Sequence, residues 1–587
     1  MIRLRGFDLT RWRGFEIHAI GVGLNLSTIF TTLHPKLFKP PNNMKTKSIS
    51  VLVILLIVLI TGCATNENQK DEEMKARLAQ FEEVTLETDL SWLSDSEREI
   101  LGILIDAAKL MDDIFWMQAY GDKEELLESI DSEYARKYAM IHYGPWDRLK
   151  NNEPFIEGAG PKPSMAQFYP EDMTVEEFEA WDNPEKTGLY TLVRRDDEGN
   201  LANVPYSEAY KEKHEKAAEL MRKAAEMAED EGLKKYLKAR AEALLTDEYQ
   251  PSDFAWMEMK ESNIDFVVGP IENYEDGLFG YKAAHESFVL VKDPEWSAKL
   301  AKFNAMLTDL QAGLPVDEEY KSEVPGTDAD MNVYYALYYA GDCNAGSKTI
   351  AINLPNDPEI HLAVGSRKLQ LKNAMEAKFN KILVPISNIL IDESQRSHIT
   401  FNAFFENTTF HEVSHGMGIK NTISGKGPVR EALKEQYSAL EEAKADIMGL
   451  YLVTQLYEMG ELSSGEVMDN YVTFFAGIFR SSRFGAASAH GKANMLNMKY
   501  FADNGAFVYQ DNGTYKVNFD EMKKAVVSLV EKILTIQGDG DYEAAKEWIE
   551  GDGVMTEQLR ANLDRVNEAG IPVDIVFRQG KEVLGLQ

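Results

Sequence analysis

The five residues His411-Glu412-Val413-Ser414-His415 constrain this chain more strongly than any other stretch. Positions four apart share one face of an α-helix, so His411 and His415 can present two imidazole nitrogens to one zinc ion. Glu412 directly follows the first of these ligands and can remove a proton from a water that the metal activates. The pattern therefore predicts a helix that carries a catalytic zinc site. A helix with a solvated His-Glu face is the alternative interpretation.

The third protein ligand of such a site is predicted in the segment 440–452, which begins acidic and turns apolar. This pattern indicates a helix that enters the core, where acidic side chains need a cationic partner. Glu442 and Asp446 are four residues apart, so one can bind zinc while the other orients a ligand histidine. For Asp446 a surface ion pair is the alternative. Glu441 is either a solvated charge or a further acid that orients a ligand.

Length and charge limit the classes of protein to consider. The chain has 587 residues, 44% of them hydrophobic, which is enough for a large core or two lobes. Its 62 basic and 96 acidic residues give a net charge of −34, which repels nucleic-acid phosphates and argues against nucleic-acid binding. Its two cysteines, Cys63 and Cys343, are too far apart to suggest a disulfide framework.

The amino-terminal region has the pattern of a lipoprotein signal. A short basic start at residues 44–47 precedes an apolar run over 48–62, and Cys63 follows Thr61-Gly62 directly. We therefore interpret 44–62 as a signal peptide, Cys63 as a lipid-bearing cysteine, and 63–85 as an anchor and polar tether. Residues 1–43 precede this signal and are interpreted as a wrongly assigned start or an unfolded segment. This pattern resembles that of bacterial lipoproteins and predicts a location in the cell envelope. Ala64, which follows the cysteine, favours the outer membrane, with the protein facing the periplasm or the outside. A simple transmembrane anchor is the alternative.

The rest of the chain is predicted to be α+β. Residues 206–246 are rich in Ala, Glu, Lys and Leu and predict a long helix pair. Four β-branched or apolar runs predict strands, namely 264–271, 287–291, 348–354 and 381–390. Helical patterns dominate from about residue 400 to 570. We expect a mixed region over 86–380 and a mostly helical one over 381–570, with the chemistry at their junction.

Several ordered motifs resemble dipeptidyl peptidase III, peptidase family M49. This family pairs its histidine motif with a downstream Glu-Glu helix that leads into Gly-Leu-Tyr, as Glu441-Glu442 leads into Gly449-Leu450-Tyr451 here. Further blocks are similar to segments that line the family's substrate cleft: Gly269–Tyr274, Phe279-Gly280, Glu286, Asn353–Asn356 and Ala489–Lys492. Together these blocks span roughly residues 250–500 and are far more specific than the histidine motif alone.

The resemblance implies a lipoprotein-type bacterial member of this family with one Zn²⁺ per chain. Glu442 would be the third zinc ligand, with Glu441 and Asp446 orienting the histidines. His490 would stabilise the transition state, and Asn353, Asn356 and Glu286 would bind the peptide. The implied fold has two lobes with a cleft between them, one lobe mostly helical and zinc-bearing, the other mixed with a small β-barrel. Residues 571–587 would return to the mixed lobe.

Several positions depart from the family pattern, among them Asp446, which stands where the family has Glu, and the histidine motif, which lacks the extra residue that many members carry. The family's catalytic tyrosine falls on Val267, and a family acid falls on Asp265. The hydrolytic centre is intact, so we expect a zinc peptidase that releases amino-terminal dipeptides. Two other functions stay open, a lipid-anchored binding protein for peptides or another nutrient, and a zinc hydrolase of a non-peptide amide. The intact Glu412 argues against a pure binding protein, because such a protein needs no base beside the metal.

Overall fold

The computed structural model describes residues 69–324 and 330–587. The predictions for residues 1–62 and for lipid-bearing Cys63 lie outside the described residues. A helix over 69–78 begins the described part. The remaining helices are α1 Asp95–Ala119, α2 Lys123–Ser129, α3 Glu133–His142, α4 Val175–Ala180, α5 Tyr206–Ala209, α6 Lys211–Met227, α7 Glu231–Thr246, α8 Gln250–Glu258, α9 Pro294–Asn304, α10 Leu307–Ala312, α11 Pro358–Val364, α12 Lys372–Lys378, α13 Val384–Leu390, α14 Phe401–His415, α15 Val429–Leu433, α16 Tyr437–Glu458, α17 Val467–Ser482, α18 Ala489–Asp503, α19 Phe519–Asp539, α20 Tyr542–Asp552, α21 Glu557–Glu568 and α22 Lys581–Leu584.

The strands are short apart from those of one central sheet. They are β1 Phe81–Thr85, β2 Trp146–Asp147, β3 Glu153–Pro154, β4 Thr191–Arg195, β5 Leu201–Pro205, β6 Ile264–Glu272, β7 Ala284–Lys292, β8 Asp330–Gly341, β9 Ala351–Leu354, β10 Arg367–Leu371, β11 Phe507–Tyr509, β12 Tyr515–Val517 and β13 Asp574–Arg578. The central sheet has five strands in the order β6-β7-β8-β10-β9. Its pairs are antiparallel except for β8 with β10, which is parallel.

The α+β class and several elements are confirmed. The helix pair predicted over 206–246 is α6 and α7, and the strands predicted near 264–271 and 287–291 are β6 and β7. Residues 351–354 of the predicted run 348–354 form β9. The predicted small β-barrel is not found, because β6 and β9 stand at the two edges of an open sheet within the described residues.

Two other predictions were wrong. The run 381–390 is helical rather than extended, with a π-helical turn over Phe379–Leu383 followed by α13. A short buried apolar run has the same composition in a strand and in a core helix, so the pattern could not separate them. The polar tether predicted over 63–85 ends earlier, because Phe81–Thr85 forms β1 and pairs in parallel with β13. The buried side chain of Phe81 anchors that strand.

The hydrophobic core consists of two clusters. One packs α1, α6 and α7 against one face of the central sheet. The other surrounds α14, α16, α17 and α19. The partly buried Ile350 and Phe577 pack against both clusters. The carboxyl-terminal segment reaches the central sheet, since the Gln579 side chain bonds the main chain of Tyr339 in β8.

None of the described helices is long and apolar enough to cross a membrane. Cys343 is buried with a free thiol, and its Sγ donates to the carbonyl of Ala340 at 3.2 Å. Its position therefore fits the packing role of a buried cysteine.

Candidate metal centre

The centre forms where the end of α14 crosses α16. Thr400 caps the start of α14 by accepting from the amide of Ala403, and the helix ends at His415. Gly449 of α16 lies against this helix so closely that a Cβ atom there would be 2.8 Å from the amide nitrogen of His411. A glycine at this position therefore allows the two helix backbones to approach and brings their side chains to one point.

Three of the predicted metal ligands converge. The Nε2 atoms of His411 and His415 are 3.2 Å apart. The Oε2 atom of Glu442 lies 3.4 Å from the first of these nitrogens and 3.7 Å from the second. One donor atom from each residue can therefore reach a single ion. These are the nitrogen and oxygen donors of a catalytic zinc site with three protein ligands.

Carboxylates hold both imidazoles from behind. Asp446 Oδ1 lies 2.8 Å from His411 Nδ1, and Glu441 Oε1 lies 3.1 Å from His415 Nδ1. Burial disfavours the charged form of Glu441, but the Lys444 ammonium at 2.7 Å and His415 outweigh it and lower the pKa of Glu441 to about 2. The structure thus places Glu441 and Asp446 where the sequence predicted them, as acids that orient ligand histidines.

The donor set fits a cation. A carboxylate only accepts, so each Nδ1 donates its hydrogen to the acid behind it, and each Nε2 is the ring atom left to bind a metal ion. Glu442 Oε2 is shielded from solvent and makes no well-directed hydrogen bond, although three imidazole nitrogens lie within 3.7 Å. Burial opposes a charge on His411, yet Asp446 and Glu442 raise its pKa well above the ordinary value. A metal ion would satisfy this excess of acceptors and negative charge.

His490 approaches the centre from α18, whose first turn is capped by the Ser488 side chain. Its Nδ1 lies 3.0 Å from Glu442 Oε2, and 67% of its side chain is exposed. The Glu442 carboxylate raises the pKa of His490, with burial opposing it. The structure therefore brings His490 beside the three candidate ligands while leaving its ring open to a bound molecule.

The predicted base Glu412 lines a cavity of about 490 Å³ together with His411, Asp446 and His490. Its main-chain carbonyl accepts a hydrogen bond from Nζ of Lys368, which lies on β10. Lys368 is 7% exposed, and burial lowers the pKa of its ammonium despite the opposing charge of Glu412. The candidate base therefore faces open space and is tied through its backbone to the central sheet.

A second cavity of about 870 Å³ lies beside β6 and the loop that follows β9. Asn356 lines it and donates from Nδ2 to the carbonyl of Ile271 at 3.2 Å. Asn353 stands exposed on β9, opposite Lys368. Val267, at the position of the family tyrosine, is buried against the same cavity. The predicted peptide-binding asparagines therefore lie along one sheet edge and its neighbouring loop.

Glu286 and Asp265, two other positions taken from the family pattern, lie buried in the central sheet. Glu286 is 4% exposed within β7, lines neither of these cavities, and burial raises its carboxyl pKa well above the ordinary value. This position favours a structural role over the predicted contact with substrate. Asp265 is fully enclosed, with its carboxylate held by Trp256 Nε1 at 2.8 Å and by Arg367 at 2.8 Å.

Sequence reasoning missed several residues that complete the centre. Lys444 lies three residues after Glu441 on the same helix, so helical spacing alone could have identified that ion pair. Gln537 of α19 donates to Glu441 at 3.1 Å, and Asn497 of α18 donates to Asp446 at 3.2 Å. These two and Lys368 come from distant parts of the chain, and no local pattern marks them.

The two carboxylate-supported histidines of one helix, the candidate base that follows the first of them and the third ligand Glu442 define a metal-dependent peptidase. A family model described as peptidase family M49 matches residues 194–427. The structure is similar to that of DPP III from Caldithrix abyssi, with a TM-score of 0.83 and 41% identity over 87% of this chain and 100% of that one. It is also similar to dipeptidyl-peptidase III from Corallococcus sp. strain EGB, with a TM-score of 0.73 and 38% identity over 86% of this chain and 97% of that one. The chain belongs to peptidase family M49.

A plant protein is also similar. Nudix hydrolase 3 of Arabidopsis thaliana is 36% identical, over 89% of this chain and 76% of that protein. Its name denotes another class of hydrolase, whereas the family model and the solved structures that match this chain are those of peptidases. The Nudix name is therefore not transferred to this chain.

Proposed function

We propose that the protein is a zinc-dependent peptidase that releases dipeptides from the amino terminus of peptides. The observation that carries this proposal is the convergence of His411, His415 and Glu442, with a carboxylate behind each imidazole. Two carboxylate-oriented histidines and one glutamate are the donors that a catalytic zinc ion takes. The similar solved structures named DPP III support the dipeptide-releasing activity.

A bound zinc ion would act as a Lewis acid on the scissile carbonyl and would make a water more acidic. Glu412 then serves as the general base that takes the water proton and later delivers it to the leaving amine. His490, whose Nδ1 lies 3.0 Å from Glu442 Oε2, would donate a hydrogen bond to the oxygen on which negative charge develops. Asp446 and Glu441 keep the two ligand imidazoles in a fixed tautomer and orientation.

The peptide would bind along the free edge of the central sheet. Within the described residues β9 pairs only with β10, so its outer edge can accept an added strand. Asn353 and Asn356 would hold the amino end of the peptide, as the family resemblance implies. The two-lobe arrangement with an intervening cleft is part of this proposal, supported by the two hydrophobic clusters.

The test is cleavage of short peptides by the purified zinc-loaded protein, with products identified by mass spectrometry. We expect amino-terminal dipeptides from the protein and none from a Glu412→Gln variant. A Glu531→Gln variant, altered on an exposed face of α19, should retain full activity. Cuts elsewhere in the peptide would reject dipeptide release, and bound zinc without any cleavage would favour a binding protein or a hydrolase of other amides.

The cell-envelope location is a further part of the proposal. The motif at Cys63 supports lipidation, and a lipid-anchored peptidase would act on peptides outside the cytoplasm. In a bacterial host, the wild-type protein should be recovered with membranes and carry lipid on Cys63. A Cys63→Ser variant should be released, and equal membrane association of both forms would reject the anchor.

A further inference from the structure

The catalytic cavity has a cationic end. Besides His411 and Glu412, its lining includes the three cations Lys348, Lys378 and Arg480. A cationic corner is unexpected from composition, since the chain carries a net charge of −34. The acceptors that surround each of these cations therefore decide what the cations do.

Both lysines at this end already have partners, and Lys348 Nζ donates to the carbonyl of Gly346 at 3.2 Å. Lys378 Nζ lies 2.9 Å from Asp574 Oδ1 and also donates to the carbonyl of Lys348 at 2.6 Å. Asp574 is buried, and Lys378 and Ser347 help to hold its pKa below the ordinary value against the effect of burial. The carboxylate of Asp574 is therefore already paired with Lys378.

Arg480 has no such partner. It is partly buried on α17, and it forms no ion pair or hydrogen bond with any described residue. Its guanidinium carbon lies 5.6 Å from the centre of the Phe404 ring. A contact with a ring face uses none of the N–H donors of the guanidinium. A guanidinium whose Nε is shielded from solvent without an acceptor is unfavourable, so its retention points to an acceptor supplied by a bound molecule.

The cavity continues from the metal centre to the segment that enters β9. Residues 347–351 line it together with Arg480, and Asn356 lies beyond the other end of β9. A peptide with its amino end at Asn356 would run antiparallel to β9, and its carboxyl side would extend towards residue 351. The leaving part of the substrate would thus enter the end of the cavity that contains Arg480.

We propose that Arg480 binds a carboxylate of the substrate on the carboxyl side of the scissile bond. The planar guanidinium can bind a carboxylate with two parallel hydrogen bonds, which a lysine cannot reproduce. This inference rests on the proposed function, because it takes the peptide direction from it. The carboxylate is the free carboxyl terminus of a short peptide or an acidic side chain just after the scissile bond, and either makes Arg480 a specificity-determining residue.

The test is equilibrium binding to the zinc-loaded Glu412→Gln protein, which removes turnover from the measurement. Three related peptides are compared. The first two share one sequence and end in a free acid or in an amide, and the third is the amide with Asp placed after the scissile bond. We expect one of the two carboxylate-bearing peptides to bind at least about tenfold more tightly than the plain amide, the range for a hydrogen-bonded charge. The peptide that shows this gain identifies the source of the carboxylate.

Substitution of Arg480 should abolish the difference. Arg480→Gln should bring all three affinities to within about twofold, with Arg480→Lys retaining part of the preference. An Arg222→Gln variant removes one positive charge from an exposed ion pair with Glu242 and should behave as the parent protein. Thermal unfolding of each variant separates lost recognition from lost folding.

Two outcomes overturn the inference. The first is equal binding of all three peptides to the Glu412→Gln protein. This outcome does not depend on whether an Arg480 variant folds. The second is an unchanged preference in a folded Arg480→Gln variant. Failure of the proposed function is a separate result, because it would appear as absent cleavage by the Glu412-containing protein while the binding preference persists.

Discussion

Lys368 Nζ donates a hydrogen bond to the main-chain carbonyl of Glu412. This carbonyl belongs to the last turn of α14, where the amide of Gly416 bonds Val413 and Ser414 instead. The ammonium therefore satisfies a carbonyl left free at a helix end, where positive charge is favourable. Because the backbone of Lys368 also pairs with that of Asn353 in β9, this residue links the proposed substrate-binding strand to the candidate base.

Replacement of Lys368 by Met should therefore lower kcat more than it weakens metal binding. The methionine keeps the apolar stem but releases the backbone of Glu412, and small displacements of a base reduce proton transfer strongly. We expect kcat to fall by at least about tenfold, with the zinc dissociation constant within about threefold of the parent value. Steady-state kinetics and chelator competition measure the two effects. A Lys524→Met variant, which loses an exposed ion pair with Glu521, is the control, and unchanged kcat for Lys368→Met would refute the link.

Asp446→Asn should weaken zinc binding. The neutral amide oxygen is a poorer acceptor for His411 Nδ1. The NH2 group of the new side chain would face the Nδ2 donor of Asn497, so two donors would meet. Loss of such an orienting acid costs about 10- to 100-fold in metal affinity. Chelator competition at constant pH gives the affinity, and Asp503→Asn on the exposed side of α18 should leave it unchanged. An Asp446→Asn protein with the affinity of its parent would show that this carboxylate does not support the ligand.

The sequence identified the chemistry of the centre better than its surroundings. Helical spacing placed His411 and His415 on one face of a helix, and the family resemblance identified Glu442 as the third ligand. The same reasoning could not find Gln537 or Arg480, whose positions depend on how distant helices pack.

The fold was predictable where periodicity was strong. The helix pair α6 and α7 and the strands β6 and β7 follow from composition and alternation. The run 381–390 was assigned wrongly because apolar content alone does not distinguish a buried helix from a strand. The open central sheet could not be derived either, since strand order depends on contacts between residues far apart in sequence.

Gly449→Ala should damage the centre without replacing a ligand. The added Cβ would lie 2.8 Å from His411 N and 2.9 Å from Phe410 C, and both are backbone atoms that cannot rotate away. Forcing α14 and α16 apart should cost about 1–3 kcal/mol of stability, and it should also lower metal affinity because the ligands lie on both helices. Gly551→Ala is the matched control, since an added Cβ there meets nothing within 4 Å. Calorimetry and zinc titration would contradict this account if the two variants behaved alike.

Glu406 of α14 is a buried acid whose protonation should affect stability. It is 1% exposed, and its Oε2 accepts from Asn470 at 3.0 Å and from Tyr457 at 3.4 Å. Burial raises its pKa from 4.5 to about 7, with these two hydrogen bonds partly offsetting the rise. The folded protein therefore holds this proton at pH values where the unfolded chain has lost it.

The contribution of Glu406 to folding should consequently fall as pH rises from about 4.5 to about 7 and stay low above that. Glu406→Gln carries no ionisable proton, so it should be more stable than the parent at pH 8 by up to about 3 kcal/mol, at 1.36 kcal/mol per pKa unit. Well below pH 4.5 this advantage should vanish, because the parent carboxyl is then protonated in both states. Unfolding of both proteins by denaturant across this pH range measures the difference. A stability difference that does not change with pH would show that Glu406 stays ionised in the folded protein.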